Sequence, residues 1–238
     1  GALALGVLGA GRARAQTWPA AKPIRLIIGF APGGAADYVA RTLNEPLARA
    51  LGQAVVVENR AGAGSSLAAD FVAKSPADGY TLLIASPSAI SVNPSLNPKL
   101  TYAKDLLPVT KLTSSPLVIA VHPDVPVRTL HELIALAKKK PGSLNYTSSG
   151  NGSAPHLGAA HFSAVTGVEM VHIPYKGGAP AIAAVVAGDA QVTFGTPPSV
   201  LPMVQAGRLR AIAVTSPNRS PLVPGVAGTA EAGLPNYS

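Results

Sequence analysis

The sequence predicts an α/β protein made of two successive units, each a mostly parallel sheet flanked by helices. Three observations carry this. Runs of β-forming residues alternate with amphipathic helical stretches from residue 24 to residue 214. The links between them are short and punctuated by Gly and Pro, of which the 238 residues hold 24 and 23. Three links are Gly-rich turns that stop a strand and open a helix.

Residues 24–30 form the first expected strand, with Ile24, Leu26, Ile27, Ile28 and Phe30 as its apolar set. Pro32-Gly33-Gly34 ends it, and 35–51 reads as a helix with Val39, Leu43, Leu47 and Leu51 at four-residue spacing. Pro46 is expected to kink or split that helix, and Gly52 to end it. Val55-Val-Val57 is a second strand, 65–74 a helix burying Leu67, Phe71 and Val72, and 80–85 a third strand after the Asp78-Gly79 turn. This β-α-β-α-β order predicts a parallel sheet with right-handed crossovers. Residues 91–110 lack periodicity and read as an irregular connection with one short helix near Leu96 or Asp105.

Leu117 to Val121 is a further strand, broken by His122-Pro-Asp-Val-Pro126, and the unit boundary is placed at 121. Thr129 and Glu132 form a capping-box pattern before Leu130, Leu133, Ile134 and Ala137, the buried face of a helix. Strands at 144–148, 168–173, 190–194 and 209–214 alternate with helices near 155–166, 179–187 and 198–206. The expected organisation is a leader at 1–15, a first lobe at 16–121 and a second at 122–214. Residues 215–238, rich in Pro and Gly, are expected to return towards the first lobe.

Ala2-Leu-Ala-Leu-Gly-Val-Leu-Gly-Ala10 is too short to span a bilayer. With the small-x-small pattern Ala13-Arg-Ala15 it reads as a secretory leader cleaved after Ala15. The chain has no cysteine, which removes disulfides, thiol nucleophiles and thiolate metal sites. The net charge of +8 falls to +6 without Arg12 and Arg14, leaving 17 basic against 11 acidic side chains. These are scattered, apart from Lys138-Lys139-Lys140 at an expected helix end, where cations complement the dipole. Lacking a basic stripe interleaved with aromatics, the chain is not expected to bind nucleic acid. Its excess of positive charge favours encounters with small anions.

A strand that stops at a Gly-Gly turn and opens a helix presents several unpaired N–H groups and the positive end of a helix dipole, a ready anion site. Phe30 to Asp37, Tyr146 to Ser153 and Ile173 to Ala179 all have this form. Gly33 and Gly34 admit a ligand close to the backbone. Ser148, Ser149 and Ser153 add hydroxyls that converge naturally on an oxyanion. Asp37, in the first turn of its helix, fits a capping role better than contact with an anion. His156 and His161 are five apart on one expected helix and complete no metal-ligand pattern, so no metal is expected.

Six motifs occur in order: Phe30-Ala-Pro-Gly-Gly-Ala-Ala-Asp37, Val57-Glu-Asn-Arg-Ala-Gly-Ala-Gly64, Ser75-Pro-Ala-Asp-Gly-Tyr-Thr-Leu82, Asn145-Tyr-Thr-Ser-Ser-Gly-Asn-Gly-Ser153, His172-Ile-Pro-Tyr-Lys-Gly177 and Ala206-Gly-Arg-Leu-Arg-Ala-Ile-Ala-Val-Thr215. Together they resemble the Bug/TctC family, the periplasmic solute-binding receptors of tripartite tricarboxylate transporters, over nearly everything from Trp18 onward. The resemblance implies a two-lobed, periplasmic-binding-protein-like fold (type II, Venus flytrap) that closes on a small carboxylate. Backbone N–H groups, hydroxyls and ordered water would hold the ligand, with no cofactor, metal or catalysis.

On the first lobe the implied site residues are Phe30, Ala31, Pro32, Gly33, Gly34 and Asp37, with Ser86 and Ser88. On the second they are Ser148, Ser149, Gly150, Ser153 and His156, then Tyr175, Lys176, Gly177 and Thr196. The implied partners are membrane transporter subunits or a sensor kinase, and the receptor is expected to be a periplasmic monomer that does not itself span the membrane. Family members continue past the position of Ser238, so truncation at both ends is expected. Some relatives carry Asp-Asn where Gly195-Thr196 stand here. The missing acid favours ligands without an amino group, because a desolvated ammonium needs an anionic or carbonyl partner. Closure is expected to bend the chain near residues 121 and 214.

Three rivals are weaker. A serine hydrolase would use Ser153, but Gly150-Asn-Gly-Ser-Ala154 is not G-x-S-x-G. A nucleotide enzyme would use Gly62-Ala-Gly-Ser-Ser66, which lacks the P-loop lysine. The effector half of a transcription regulator would follow a DNA-binding segment rather than a leader.

Overall fold

The computed structural model describes residues 18–237; the expected leader and its cleavage site lie outside them. Two sheets organise the chain. The first contains β1 (Ile24–Ile28), β2 (Val55–Asn59) and β3 (Thr81–Ile84) in the order β2-β1-β3, all parallel. Helices α1 (Ala35–Leu51) and α2 (Ser66–Ala73) make the crossovers. Ile24, Ile27 and Ile28 are fully buried because a central parallel strand is covered on both faces. Pro46 lies inside α1 without splitting it, and Gly52 closes the helix in the left-handed conformation, as expected.

The connection after β3 is more regular than its sequence suggests. A π-turn at Ser88–Val92 runs into the short helix α3 (Asn93–Leu96), and a 3-10 turn follows at Tyr102–Asp105. Ala69, Ala89 and Tyr102 bury this segment against α2.

The second sheet has the order β6-β5-β7-β4-β8, with β4 (Val118–Val121), β5 (Asn145–Ser148), β6 (Val171–Pro174), β7 (Val192–Gly195) and β8 (Arg210–Val214). Helices α4 (Leu130–Lys139), α5 (Ala154–Thr166), α6 (Gly178–Ala187) and α7 (Pro197–Gln205) cover it. At α4 the Thr129 hydroxyl accepts the Glu132 N–H at 3.2 Å, while Glu132 reaches back to the Arg128 N–H at 2.6 Å. The capping-box expectation holds, displaced by one residue at its second bond.

Two expectations about organisation need correction. Strand β4, expected in the first unit, is antiparallel to both β7 and β8 and lies between them. Four buried residues, Val-Ile-Ala-Val, carry no signal for the sheet they join or the direction they run. Residues 215–237, expected to return to the first lobe, pack on the second. The Thr215 N–H donates to the Leu117 carbonyl, Val214 bridges Gly228, and Tyr237 is buried beside Phe162 with its hydroxyl donating to the Gly158 carbonyl. Val223 and Tyr237 supply the apolar surface that draws the segment there. Residues 121 and 214 therefore lie inside one sheet, and among the described residues the lobes are joined by the segment at about 106–117.

Candidate functional site

Helices α1, α5 and α6 all begin at carboxyl ends of parallel strands, where open α/β sheets bind ligands. The fold brings these helix starts together from opposite lobes. The Ala31 N–H, before α1, donates to the Lys176 carbonyl, before α6, at 2.9 Å. A Cβ on Gly177 would fall 2.9 Å from the Ala31 nitrogen, and one on Gly33 would fall 3.2 Å from the Ala179 Cβ. Gly34 and Gly178 face each other with ordinary van der Waals spacing. The glycines thus permit the close approach of one lobe to the other.

On the first lobe, Asp37 is 5% exposed and its carboxylate is fully engaged. It accepts from the Gly33 N–H at 3.0 Å, Arg41 Nε at 2.9 Å and Asn59 Nδ2 at 3.0 Å. Burial pushes its pKa up, but the bonds from Arg41, Gly33 and Asn59 outweigh it and hold the carboxyl below its usual range. Asn59 Nδ2 also lies 3.1 Å from the carbonyl of half-buried Phe30. Asp37 therefore shapes the loop rather than facing an anion, and the Gly33 N–H is committed to it. The orphan N–H groups at the start of α1 remain. Pro32 is exposed at the loop's tip, and the Ser86 and Ser88 hydroxyls pair with each other at 2.6 Å beyond β3.

On the second lobe the loop before α5 is held from beneath. The buried Ser148 Oγ lies 2.6 Å from His172 Nε2, 3.1 Å from the Gly150 nitrogen and 3.2 Å from the Gly150 carbonyl. All three contacts are hydrogen bonds when His172 donates to Ser148, Ser148 donates to the Gly150 carbonyl, and the Gly150 N–H donates to Ser148. The Ser148 carbonyl accepts the Tyr175 N–H at 3.0 Å, tying this loop to the start of the next. Ser153 caps α5 by accepting the His156 N–H at 3.4 Å. In return His156 Nδ1 accepts the Gly152 N–H at 3.1 Å, an arrangement that requires the neutral ring.

The His156 and His172 rings stack at 4.2 Å, and Tyr146 stacks on His172 at 4.9 Å. Burial, with the neighbouring His156 adding to it, lowers His172 to about 4; burial lowers His156. Sequence reasoning missed His172 as a support of this loop. Its signal was its place in a strand beside Tyr146, visible only once the β5–β6 register is known.

The remaining candidates divide. Ser149 and Tyr175 are half-buried, whereas the Lys176 side chain is exposed and its carbonyl does the interlobe work. Thr196 precedes α7, with its hydroxyl 3.2 Å from Ser199 Oγ. Gly195 is buried, and a Cβ there would fall 2.4 Å from Val200 Cγ2, so an acid at this position would demand repacking. Ser148 has an imidazole at hydrogen-bond distance, yet among the described residues no carboxylate is bonded to His172 to orient it as a triad requires.

Residues 39–238 match the sequence model of the tripartite tricarboxylate transporter family receptor, TctC. The chain belongs to this family. BugT of Bordetella pertussis is 42% identical over 226 residues, an alignment covering 94% of this chain and 69% of BugT. MatC from Rhodopseudomonas palustris, solved with bound malate, is 30% identical with a TM-score of 0.86, covering 92% of this chain and 75% of MatC. An R. palustris protein solved with adipate is 32% identical with a TM-score of 0.81, covering 93% and 75%. The two-lobed fold of periplasmic binding proteins is therefore that of this TctC-family chain, which is a periplasmic solute-binding receptor and not an enzyme. The hydrolase, nucleotide-enzyme and regulator readings fall with that assignment. No helix among the described residues is long and apolar enough to cross a membrane.

Proposed function

We propose that this receptor captures a small carboxylate without an amino group, such as a dicarboxylate or an aromatic acid, in the cleft between its lobes. It then presents the unaltered ligand to membrane transporter subunits. The observation that carries the reading is the convergence of three Gly-rich helix starts, joined across the lobes by the Ala31–Lys176 bond. Helix N-termini and backbone N–H groups favour anions without a counter-charged side chain. The malate and adipate bound by two neighbours fit this ligand class.

Discrimination against amino acids follows from the acids near the cleft. Asp37 already has three donors, and position 195 has no room for a carboxylate side chain. An amino acid's ammonium would enter without a partner, at a cost of several kcal/mol. In this reading the protein acts as a monomer after export through a leader cleaved behind Ala15. Calorimetric titration with succinate, adipate, benzoate and aspartate tests it. Saturable binding of the first three, with ligand recovered unchanged, is the expected result; turnover of any of them, or a preference for aspartate, would overturn it.

A further inference from the structure

We propose that Asn93 is a positioning residue that latches the closed lobes, with Gly64 and Gly152 as the glycines that allow it to do so. Asn93 opens α3, in the segment whose sequence reads as irregular, yet it is only 9% exposed. Its amide nitrogen lies 2.8 Å from Ser66 Oγ, 3.0 Å from the Gly64 carbonyl and 3.3 Å from the Ala63 carbonyl. Two N–H groups thus serve three acceptors, and this ring of acceptors fixes which end of the amide is nitrogen.

Those acceptors belong to the turn that opens α2. Ala63, Gly64 and Ser65 have φ of 47°, 58° and 76°, a left-handed run that Ala and Ser adopt only with support from their surroundings. Tyr102 supplies part of that support through its hydroxyl, 2.9 Å from Ser66 Oγ. Asn93 adds its bonds to the Ala63 and Gly64 carbonyls of the same turn.

The other end of the same amide faces the second lobe. A Cβ on Gly152 would fall 2.5 Å from Asn93 Oδ1, and a Cβ on Gly64 would fall 2.5 Å from the Asn151 carbonyl oxygen. The side chain that shapes the α2 turn is therefore seated against the loop carrying Ser148 to Ser153, whose Gly152 N–H is held by His156. This contact passes through the β5–α5 loop, separately from the Ala31–Lys176 bond, which passes through the β6–α6 loop. With two contacts on two loops, closure has a defined register rather than a single pivot. A receptor whose closed form is less populated binds its ligand more weakly in proportion. Asn93 thereby sets apparent affinity without being assigned a place against the ligand. The latch concerns the closed arrangement and not the ligand's identity, so it can fail or succeed independently of the carboxylate reading.

A double-mutant cycle tests it. Asn93→Ala, Gly152→Ala and the double variant are compared with the unaltered chain by small-angle scattering without ligand and by calorimetry with adipate. Asn93→Ala is expected to raise the radius of gyration and weaken adipate binding by about fivefold to tenfold. Gly152→Ala should open the lobes in the Asn93 background and do so much less in the Asn93→Ala background, where only Val92 Cγ1, 3.2 Å away, still crowds the methyl. The strain of alanine at φ +72° is common to both backgrounds and cancels in the cycle. If Asn93→Ala does not refold, Asn93→Ser keeps one donor for the turn while clearing Gly152. Independent effects in the cycle, or an unchanged radius in the Asn93 variant, would overturn the latch. Should adipate bind none of the proteins, the scattering cycle still decides the question.

Discussion

On the first-lobe side of the cleft, the loop before α1 is tied down by a carboxylate that accepts from Arg41, Asn59 and the Gly33 N–H. On the second-lobe side, the loop before α5 is tied down by a hydroxyl and two neutral imidazoles. Both devices occupy polar groups of their own loops, but they leave different helix starts: α1 keeps N–H groups without an intrahelical partner, whereas at α5 Pro155 has no N–H and Ser153 takes that of His156. They differ in what disturbs them. The Asp37 anchor is ionic and persists until a depressed carboxyl is protonated. The other anchor depends on His156 staying uncharged, because its Nδ1 accepts from the Gly152 N–H, and on a buried His172 whose protonation is opposed by burial and by His156. Acid should therefore loosen the second half of the cleft while the first half still holds.

The largest effect is expected at the ionic anchor. Asp37→Ala removes three bonds from a buried carboxylate and should cost about 2–4 kcal/mol of folding stability, read from urea unfolding. Asp37→Asn, which keeps the shape and loses the charge, should cost less than half of that. Gly177→Ala comes next and acts on the junction between the two halves. Its φ of 162° is extended backbone open to any residue, so the substitution adds no strain, but its methyl would lie 2.9 Å from the Ala31 nitrogen. Carboxylate affinity should fall by about tenfold or more, ~1.4 kcal/mol, with the melting temperature nearly unchanged.

The pH dependence separates the two anchors directly. His172 titrates at about 4 in the folded protein and His156 is lowered too, against 6.5 for the free side chain. Below about 6.5 the unfolded chain binds protons that the folded chain does not. Stability from these groups is therefore full above about 6.5 and is lost as pH falls towards 4. Asp37, lowered from 3.8, contributes stability that is lost only at still lower pH. Urea midpoints measured from pH 7.5 to 4.5 should decline, and His172→Asn should flatten much of that slope. A slope unaffected by His172→Asn would place its source elsewhere. Ser149→Ala is expected to have the smallest effect, about 0.5–1.5 kcal/mol in carboxylate binding, because it removes one hydroxyl from a half-buried position.

Much of this was legible in the sequence, and the exceptions share a cause. The strands from β1 to β8 and the helix starts at Ala35, Ala154 and Gly178 follow from apolar periodicity and Gly or Pro punctuation, which are local signals. The commitment of Asp37 was anticipated from its place in the first turn of α1. Sheet membership of β4 was not legible, since Val118 to Val121 would be equally buried in either lobe. Neither were the roles of His172 and Asn93. One depends on the register of β6 against β5, and the other on the approach of two loops more than fifty residues apart in sequence. Composition also gave no hint that Gly177 and Gly64 serve the approach of one lobe to the other, because a glycine reads the same whether a ligand or a backbone lies opposite.

If the three converging helix starts form a cleft for a carboxylate without an amino group, competition calorimetry of succinate against aspartate on the unaltered chain and on Gly177→Ala tests it most directly. Succinate should saturate one site and exceed aspartate by about a hundredfold, ~2.7 kcal/mol, and Gly177→Ala should remove most of that binding. Aspartate binding as tightly as succinate, or succinate binding that survives Gly177→Ala intact, would rule out such a cleft.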